Sequence, residues 1–241
     1  MDGLLNGVVM RLTLRATMSR KRALLFALPA AILIGISALL TKTAHSPVWP
    51  PEFLGTVGLL VVALTSLLVG GSVLGGEIED GSIVHLLATP VPRAVVIWSK
   101  YVVAVALTAA FVAVPELLAG LIATGGLTKL TVGLFVGALA GSVMYNAIFV
   151  MVSVLTTRAI AYGLAYVVIW EGLLANFVSG ARLLSVGHYS LGVANGIAHN
   201  ATLNPGVNLG TSAVMGVIVT AIALVVAARA LASFSLKGDA V

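Results

Sequence analysis

The acidic residues of this 241-residue chain are few, and their placement points to two kinds of chemistry. Three of the eight lie together at Glu77, Glu79 and Asp80. Glu116 and Glu171 instead stand alone inside long apolar runs. A solitary acid in apolar surroundings needs a hydrogen-bonding partner, a cavity or water. A cluster of acids at the head of a short polar segment is more typical of a contact surface.

A short amphipathic helix is predicted directly after the acidic cluster. Ser82 is a suitable N-cap after a turn at Gly81. An apolar stripe with i, i+3, i+4 spacing follows the cap, and two prolines then end the helix. The stripe consists of Ile83, Leu86 and Leu87, and the prolines are Pro90 and Pro92. This stripe must be buried, either against the inner ends of other helices or against a soluble partner.

The composition identifies the elements that must hold these residues. About 60% of the chain is hydrophobic and 9% is charged, whereas ordinary soluble domains carry roughly 25% charged residues. A soluble domain is therefore excluded. The chain has no cysteine, which removes disulfides, thiolate metal sites and cysteine nucleophiles together.

Six apolar runs predict an all-α integral membrane protein with six transmembrane helices. The runs are 23–40, 53–76, 101–124, 130–155, 159–181 and 209–228. They form a single transmembrane domain over residues 1–241. The segment 77–93 connects the second and third runs. The outer segment 182–208 is too polar to span the membrane and is expected to form a short helical segment that either faces outward or is half-inserted.

The basic residues predict the orientation of the chain. Ten of the 13 lysines and arginines fall on the side that carries both termini. Because Lys and Arg are retained on the cytoplasmic side, we expect a multi-pass protein of the plasma (inner) membrane with cytoplasmic N and C termini. Arg11, Arg15 and Arg22 share one helical stripe, which indicates an N-terminal helix in the membrane interface or charges that only set topology. The net charge of +5 thus needs no nucleic acid.

The segment 77–93 resembles the motif of type 2 ATP-binding-cassette (ABC) transporter permeases, which are exporter-like. The matching residues are Glu77, Glu79, Gly81, Ser82, Leu86, Leu87, Pro90, Val91 and Arg93, with Lys100 seven residues later. In that family the pattern reads roughly E-x-E-x-G-[TS]-x-x-x-L-L-x-x-P-[VIL]-x-R, followed by a Lys at the head of the third span. This chain differs by having Ser82 where Thr is commoner, and His85 inside the helix.

The resemblance implies a permease subunit whose coupling helix sits in a groove of a cytoplasmic ABC ATPase. The implied partners are an ATPase dimer, a second permease subunit that is identical or homologous, and membrane lipid. ATP and Mg²⁺ would bind to the ATPase, because this chain has no G-x-x-x-x-G-K-[ST] pattern. We therefore expect no enzymatic activity and no cofactor in this subunit. The expected cargo is a hydrophobic or amphiphilic substrate that is exported.

The two acids inside the spans and Asn146 are candidates for the pathway or for a dimer contact. Glu171 lies near the middle of the fifth run, with Tyr145 and Asn146 as candidate partners. It is either a polar point on the pathway or dimer seam, or an acid that is hydrogen-bonded inside the bundle. Glu116 follows Pro115, which is expected to kink the third span. Glu116 either reaches outer water or a cavity mouth, or has a structural role only.

Glycines and prolines give two further expectations. The glycine stripe of the fourth run, Gly133, Gly137 and Gly141, permits close helix contact either inside the subunit or between subunits. Three prolines, Pro47, Pro50 and Pro51, are expected to prevent regular structure in the connection 41–52.

Two functions from other classes compete with the permease. An intramembrane serine protease has candidate nucleophiles at Ser66, Ser72, Ser142 and Ser153, but the four histidines of the chain lie outside the spans and leave the base missing. A passive channel or membrane assembly factor agrees with the composition but leaves the acidic, proline-stopped helix without a role. Metal binding by His188 and His199 lacks a carboxylate or cysteine companion.

Overall fold

The computed structural model describes residues 5–43, 49–79, 92–178 and 180–233, and all regular structure in these residues is helical. The longer helices are α1 (Gly7–Thr17), α2 (Arg20–Thr43), α3 (Trp49–Glu79), α4 (Arg93–Thr124), α5 (Lys129–Leu155), α6 (Ala159–Leu174), α7 (Val186–Ala198) and α8 (Leu209–Ala232). Short pieces are Ala175–Phe177, which continues α6, and the 3₁₀-helices Ala181–Leu184 and Ala201–Leu203. The predicted all-α class is confirmed.

Five of these helices are long and apolar enough to cross a membrane. They are α2, α3, α4, α5 and α8, and they contain five of the six predicted runs. The remaining run, 159–181, contains α6, which is shorter and changes to π-helix over Tyr166–Leu174. The chain is thus an all-helical protein with the helices of a membrane-spanning fold.

The prolines of the connection 41–52 do not prevent helix formation in the way that we predicted. The connection 41–52 was expected to lack regular structure, but α2 continues to Thr43 and α3 begins at Trp49. For the described residues this prediction is wrong, because Pro50 and Pro51 occupy the first turn of α3, where a helix has no internal acceptor for their missing N–H groups. Pro47 lies outside the described residues. Before Pro115, α4 changes to a π-helical turn over Ala109–Ala113.

The N-terminal helix α1 packs against the beginning of α4. Asn6 caps α1 with its side chain, and its backbone N–H donates to the Ser99 hydroxyl at 2.9 Å. One face of α1 is buried and carries Val9, Thr13 and Thr17. Leu5, Val8 and Leu12 lie on the exposed face, so the helix keeps an apolar surface away from the bundle.

Helix α5 lies at the centre of the bundle, and its glycine stripe faces α7. A Cβ atom at Gly133 would lie 2.5 Å from the carbonyl oxygen of Ala194, and one at Gly137 would lie 2.8 Å from that of Ser190. The Ser190 hydroxyl donates to the Gly137 carbonyl at 2.6 Å. The stripe is therefore used for packing within the subunit, and the predicted outer helix is α7, held closely along α5.

Basic residues gather at one end of the bundle. Arg22 and Arg158 line a shared depression with Gly71 and Gly75 of α3, and Arg229 lines a groove that also contains Ala94 at the start of α4. We call this the basic end. The opposite end, where α7 lies against the first half of α5, is called the α7 end. Helix α3 runs from one to the other.

Candidate functional site

A cleft of about 530 Å³ at the α7 end is lined by α3, α5, α6, α7 and the residues around Asn204. Its charged and titratable side chains are Glu52, Tyr145, Glu171, Arg182 and His188. Its apolar wall includes Val57, Leu60, Ala63, Val167 and Leu191. The volume lies in the range of about 300–1,000 Å³ that is typical of small-molecule sites, and the mixed lining suits a ligand with both polar and apolar parts.

Glu171 joins α6 to α7 through its carboxylate. The hydroxyls of Tyr166 and Ser185 donate to it at 2.9 and 2.5 Å. The backbone N–H groups of Val186 and Gly187 donate to it at 3.0 and 3.3 Å. Both N–H groups belong to the first turn of α7, where a helix has donors to spare and favours a negative group. We call this arrangement the Glu171 latch.

Local structure explains why the latch forms. Tyr166 and Glu171 are five residues apart, and the π-helical segment that contains both brings the hydroxyl to the carboxylate. Gly187 leaves room for the acid, because a Cβ there would lie 3.0 Å from the Glu171 Oε2 atom. The latch therefore depends on a non-standard helical turn and on one missing side chain.

Ser185 connects the latch to His188. It is the N-cap of α7 and accepts from the His188 backbone N–H at 3.2 Å. Its Oγ also lies 2.9 Å from His188 Nδ1. Burial, followed by the nearby Arg182 charge, lowers the pKa of His188 below its ordinary value. A Ser–His–acid relay has the acid on the histidine, whereas here Glu171 accepts from the serine, so the cluster positions α7 rather than activating Ser185.

Only one of the two predicted partners of Glu171 lies next to it in the structure. The Tyr145 hydroxyl lies beside the carboxylate and interacts with it. Asn146 is fully buried and donates elsewhere, to Thr108 Oγ1 at 3.0 Å and to the Ser142 carbonyl at 2.8 Å. It also approaches Ser66 Oγ at 3.4 Å. Asn146 thus ties α3, α4 and α5 together inside the bundle and does not line the cleft.

Glu116 does not reach the cleft or the surface. Its side chain is 2% exposed, and in the described part of the chain neither carboxyl oxygen has a hydrogen-bond partner. A Cβ at Gly58 would lie 2.5–2.8 Å from the carboxyl atoms. Glu116 does not reach outer water, because the bare backbone of α3 at Gly58 approaches closely enough to cover it. It lines a small internal cavity together with Gly58, Leu134 and Gly137.

Three of the predicted coupling residues lie at the basic end, and the other five fall outside the described residues. Glu77 and Glu79 belong to the last turn of α3, and Arg93 is the first residue of α4. The others, Gly81, Ser82, Leu86, Leu87 and Pro90, are outside the described residues. Lys100 is 1% exposed and donates from Nζ to the Val73 carbonyl at 2.9 Å. This bond joins the two helices that flank the acidic segment.

Sequence reasoning missed three residues of the latch and cleft: Tyr166, Arg182 and Ser185. Only Ser185 has a recognisable local signal, since a serine directly before an apolar helical pattern is typical of an N-cap. Among the described residues, no group of three His, Asp or Glu side chains converges as a metal site.

Comparison with known proteins identifies no relative whose site could be compared with this one. A scan of the chain against protein-family models gives no match, and a search of curated proteins gives none either. In the described part of the chain, two regions suit a functional role: a ligand-sized cleft held by the Glu171 latch, and a buried lysine bond between the two helices that lead to the acidic segment.

Proposed function

We propose that this chain is the membrane-spanning permease subunit of an ABC transporter and that a separate cytoplasmic ATPase drives it through the segment 77–93. The observation that supports this most is the position of the segment. Its first acids extend α3 at the basic end, its Arg93 begins α4, and its sequence resembles the permease motif. In this proposal, residues 82–89 form the coupling helix.

The proposed topology has six spans. Helix α6 and its continuation Ala175–Phe177 form the fifth crossing, in addition to the five longer helices. The basic end faces the cytoplasm, since lysine and arginine are retained there. Helix α1 lies in the interface, with Leu5, Val8 and Leu12 toward lipid. Both termini are then cytoplasmic.

Motion would pass from the coupling helix to the cleft along α3. This helix has 31 residues, a length of about 46 Å at 1.5 Å per residue. Its last turn adjoins the acidic segment, and its first four turns line the cleft. The Lys100–Val73 bond makes α3 and α4 move together, and the Tyr101 hydroxyl, which donates to the Val143 carbonyl at 3.1 Å, extends the connection to α5.

The transporter would contain two permeases, identical or homologous, and two ATPases. ATP binding closes the ATPase dimer, which pushes the coupling helix and tilts α3 and α4. The cleft wall then changes shape and releases a hydrophobic or amphiphilic substrate outward. ATP and Mg²⁺ stay on the ATPase.

The test separates ATPase binding from transport. The tagged chain is captured from its native membranes as wild type, as Glu79→Ala and as the double variant Leu86→Ser/Leu87→Ser. We expect a P-loop ATPase to accompany the wild type in near-stoichiometric amounts and to be lost from both variants, together with ATP-dependent transport. The matched control is Glu52→Gln, an exposed acid at the opposite end of α3, which keeps the ATPase.

Unchanged ATPase capture and unchanged ATP hydrolysis in both coupling variants would remove the proposed mechanism. Capture of the chain without any ATPase, together with flux that needs no ATP, would favour the passive channel instead. The protease alternative needs a free serine nucleophile, but the hydroxyls of Ser142 and Ser153 donate to main-chain carbonyls of their own helix. It is tested by alanine variants of the four candidate serines, at least one of which would abolish any proteolytic activity.

A further inference from the structure

The Nε atom of Arg182 is a donor in the cleft that has no acceptor among the described residues. Arg182 belongs to the 3₁₀-helix Ala181–Leu184 and lines the cleft. Its Nε atom is buried and has no hydrogen-bond partner, and its guanidinium pairs with no carboxylate among the described residues. Its stem passes Gly206, whose φ is 69° and where a Cβ would lie 3.2 Å from Arg182 Cδ. A buried donor without a partner is unfavourable, so this position is prepared for an acceptor from outside the chain.

The acids of the cleft leave that position open. Glu171 is engaged by the donors of the latch, two hydroxyls and two backbone N–H groups. Glu52 is exposed, in the first turn of α3. The guanidinium is planar and donates in a fork that matches carboxylate and phosphate oxygens. The ligand group that Arg182 recognises is therefore an anion.

The rest of the cleft favours an apolar body attached to that anion. Val57, Leu60 and Ala63 follow one face of α3, and Val167 and Leu191 lie opposite on α6 and α7. Leu60 is 50% exposed, so the apolar wall continues toward the surface of the bundle. A free inorganic anion would leave this wall uncovered.

We infer that the cleft binds an anionic amphiphile, with its carboxylate or phosphate group on Arg182 and its hydrocarbon part along Leu60 and Val167. This site belongs to the permease chain alone. It would exist whether or not an ATPase drives the protein, and its failure would leave the coupling proposal untouched.

Binding is measured on the purified chain in a neutral maltoside detergent, with tryptophan fluorescence as the signal. Trp170 is a suitable reporter because its Nε1 donates to the Leu184 carbonyl at 3.2 Å, next to Arg182. The titrants are dodecyl phosphate, inorganic phosphate and dodecyltrimethylammonium. We expect saturable binding of dodecyl phosphate, at least tenfold weaker binding of inorganic phosphate, and none of the cation.

Three variants test the two halves of the site. Arg182→Gln should weaken dodecyl phosphate binding at least tenfold, and Arg182→Lys should be intermediate because it keeps the charge but loses the fork. Leu60→Gln should weaken dodecyl phosphate binding but not inorganic phosphate binding. This variant also provides a second test of the site if Arg182→Gln fails to fold. Arg158→Gln, an exposed arginine at the basic end, is the matched control and should bind like the wild type.

Three outcomes would overturn the inference. Equal binding of dodecyl phosphate by Arg182→Gln and the wild type would show that the anion does not bind at Arg182. Inorganic phosphate that binds as tightly as dodecyl phosphate would mean a site for a free anion. Preference for dodecyltrimethylammonium would mean that the acids of the cleft dominate.

Discussion

Glu171 and Glu116 are two acids in apolar helices of one bundle, and the protein accommodates them in opposite ways. The region around Glu171 supplies hydroxyls and the free N–H groups of a helix start. The region around Glu116 leaves room for the carboxyl group beside Gly58. It offers no hydrogen-bond donor to that group among the described residues. Burial of an acid therefore does not by itself indicate a structural or functional role. The donors around it decide whether it holds helices together.

Replacing Glu171 with leucine should have the largest effect on stability. The change leaves the hydroxyls of Tyr166 and Ser185 and the first N–H groups of α7 without an acceptor, so we expect a loss of about 3 kcal/mol in the free energy of unfolding. Glu171→Gln keeps one acceptor oxygen and should lose about 1 kcal/mol. The measurement is thermal or denaturant unfolding of the purified protein in detergent.

The control for this prediction is Glu52→Gln, which lines the same cleft but is exposed and should stay within about 0.5 kcal/mol of the wild type. If Glu171→Leu unfolded at the same temperature as this control, the latch would have no structural role. Full transport by both Glu171 variants would also exclude Glu171 from the pathway.

Adding a methyl group at Gly58 should produce the next largest effect. Since a Cβ there would lie 2.5–2.8 Å from the Glu116 carboxyl group, we expect Gly58→Ala to lose about 1–3 kcal/mol through overpacking. The loss should shrink to below about 1 kcal/mol when Glu116→Ala is present as well, because the clashing group is gone. Gly75→Ala is the control, since nothing lies within 4 Å of its Cβ position. A loss that does not depend on Glu116 would show that other contacts of α3 are responsible.

Replacing Glu116 with leucine should sharpen the contrast between the two acids. Because its carboxyl group has no partner in the described residues, an apolar side chain of similar size should leave stability unchanged or raise it by up to about 1 kcal/mol. Unfolding of Glu116→Leu and Glu171→Leu under the same conditions gives the comparison directly. A loss at Glu116 as large as that at Glu171 would mean that Glu116 is held by a group absent from the described contacts.

Acidification should weaken the latch region slightly through His188. Burial and the Arg182 charge lower the pKa of this histidine in the folded protein from its ordinary value of 6.5. The unfolded chain then binds the proton more readily, so stability is complete above about pH 6.5 and falls as the pH drops below it. His188→Gln should remove this part of the pH dependence, which is the smallest of the four effects. An unchanged pH profile in His188→Gln would show that other groups are responsible.

Much of the fold was predictable because the bilayer imposes simple rules on a sequence. Apolar runs bounded by charges predicted α2, α3, α4, α5 and α8, since each run must form a helix to satisfy its own backbone. The polar surroundings of segment 182–208 predicted a short helix, outward-facing or half-inserted, and the structure has helix α7 there. The glycine stripe at Gly133, Gly137 and Gly141 predicted close contact, although it did not show whether the contact lay inside the subunit.

The site was less predictable, because its contacts join residues that no local spacing connects. Tyr166 meets Glu171 only through a π-helical turn, and a standard helix pairs residues three or four apart. Arg182 enters the cleft from a 3₁₀-helix beyond the end of α6. The choice between Tyr145 and Asn146 as the neighbour of Glu171 depended on which faces of α5 meet α6 and α3.

The amino-acid sequence alone predicts a helical chain with membrane-spanning segments, and it locates an acidic segment between two apolar helices. Composition and charge are sufficient for this, since lipid excludes charges and unpaired backbone along the whole length of a span. The hydrogen-bond partners of the two lone acids, in contrast, depend on the tertiary structure. Hydrogen bonds act over about 3 Å, so a donor for Glu171 and a bare glycine beside Glu116 depend on helix packing that residue spacing does not encode.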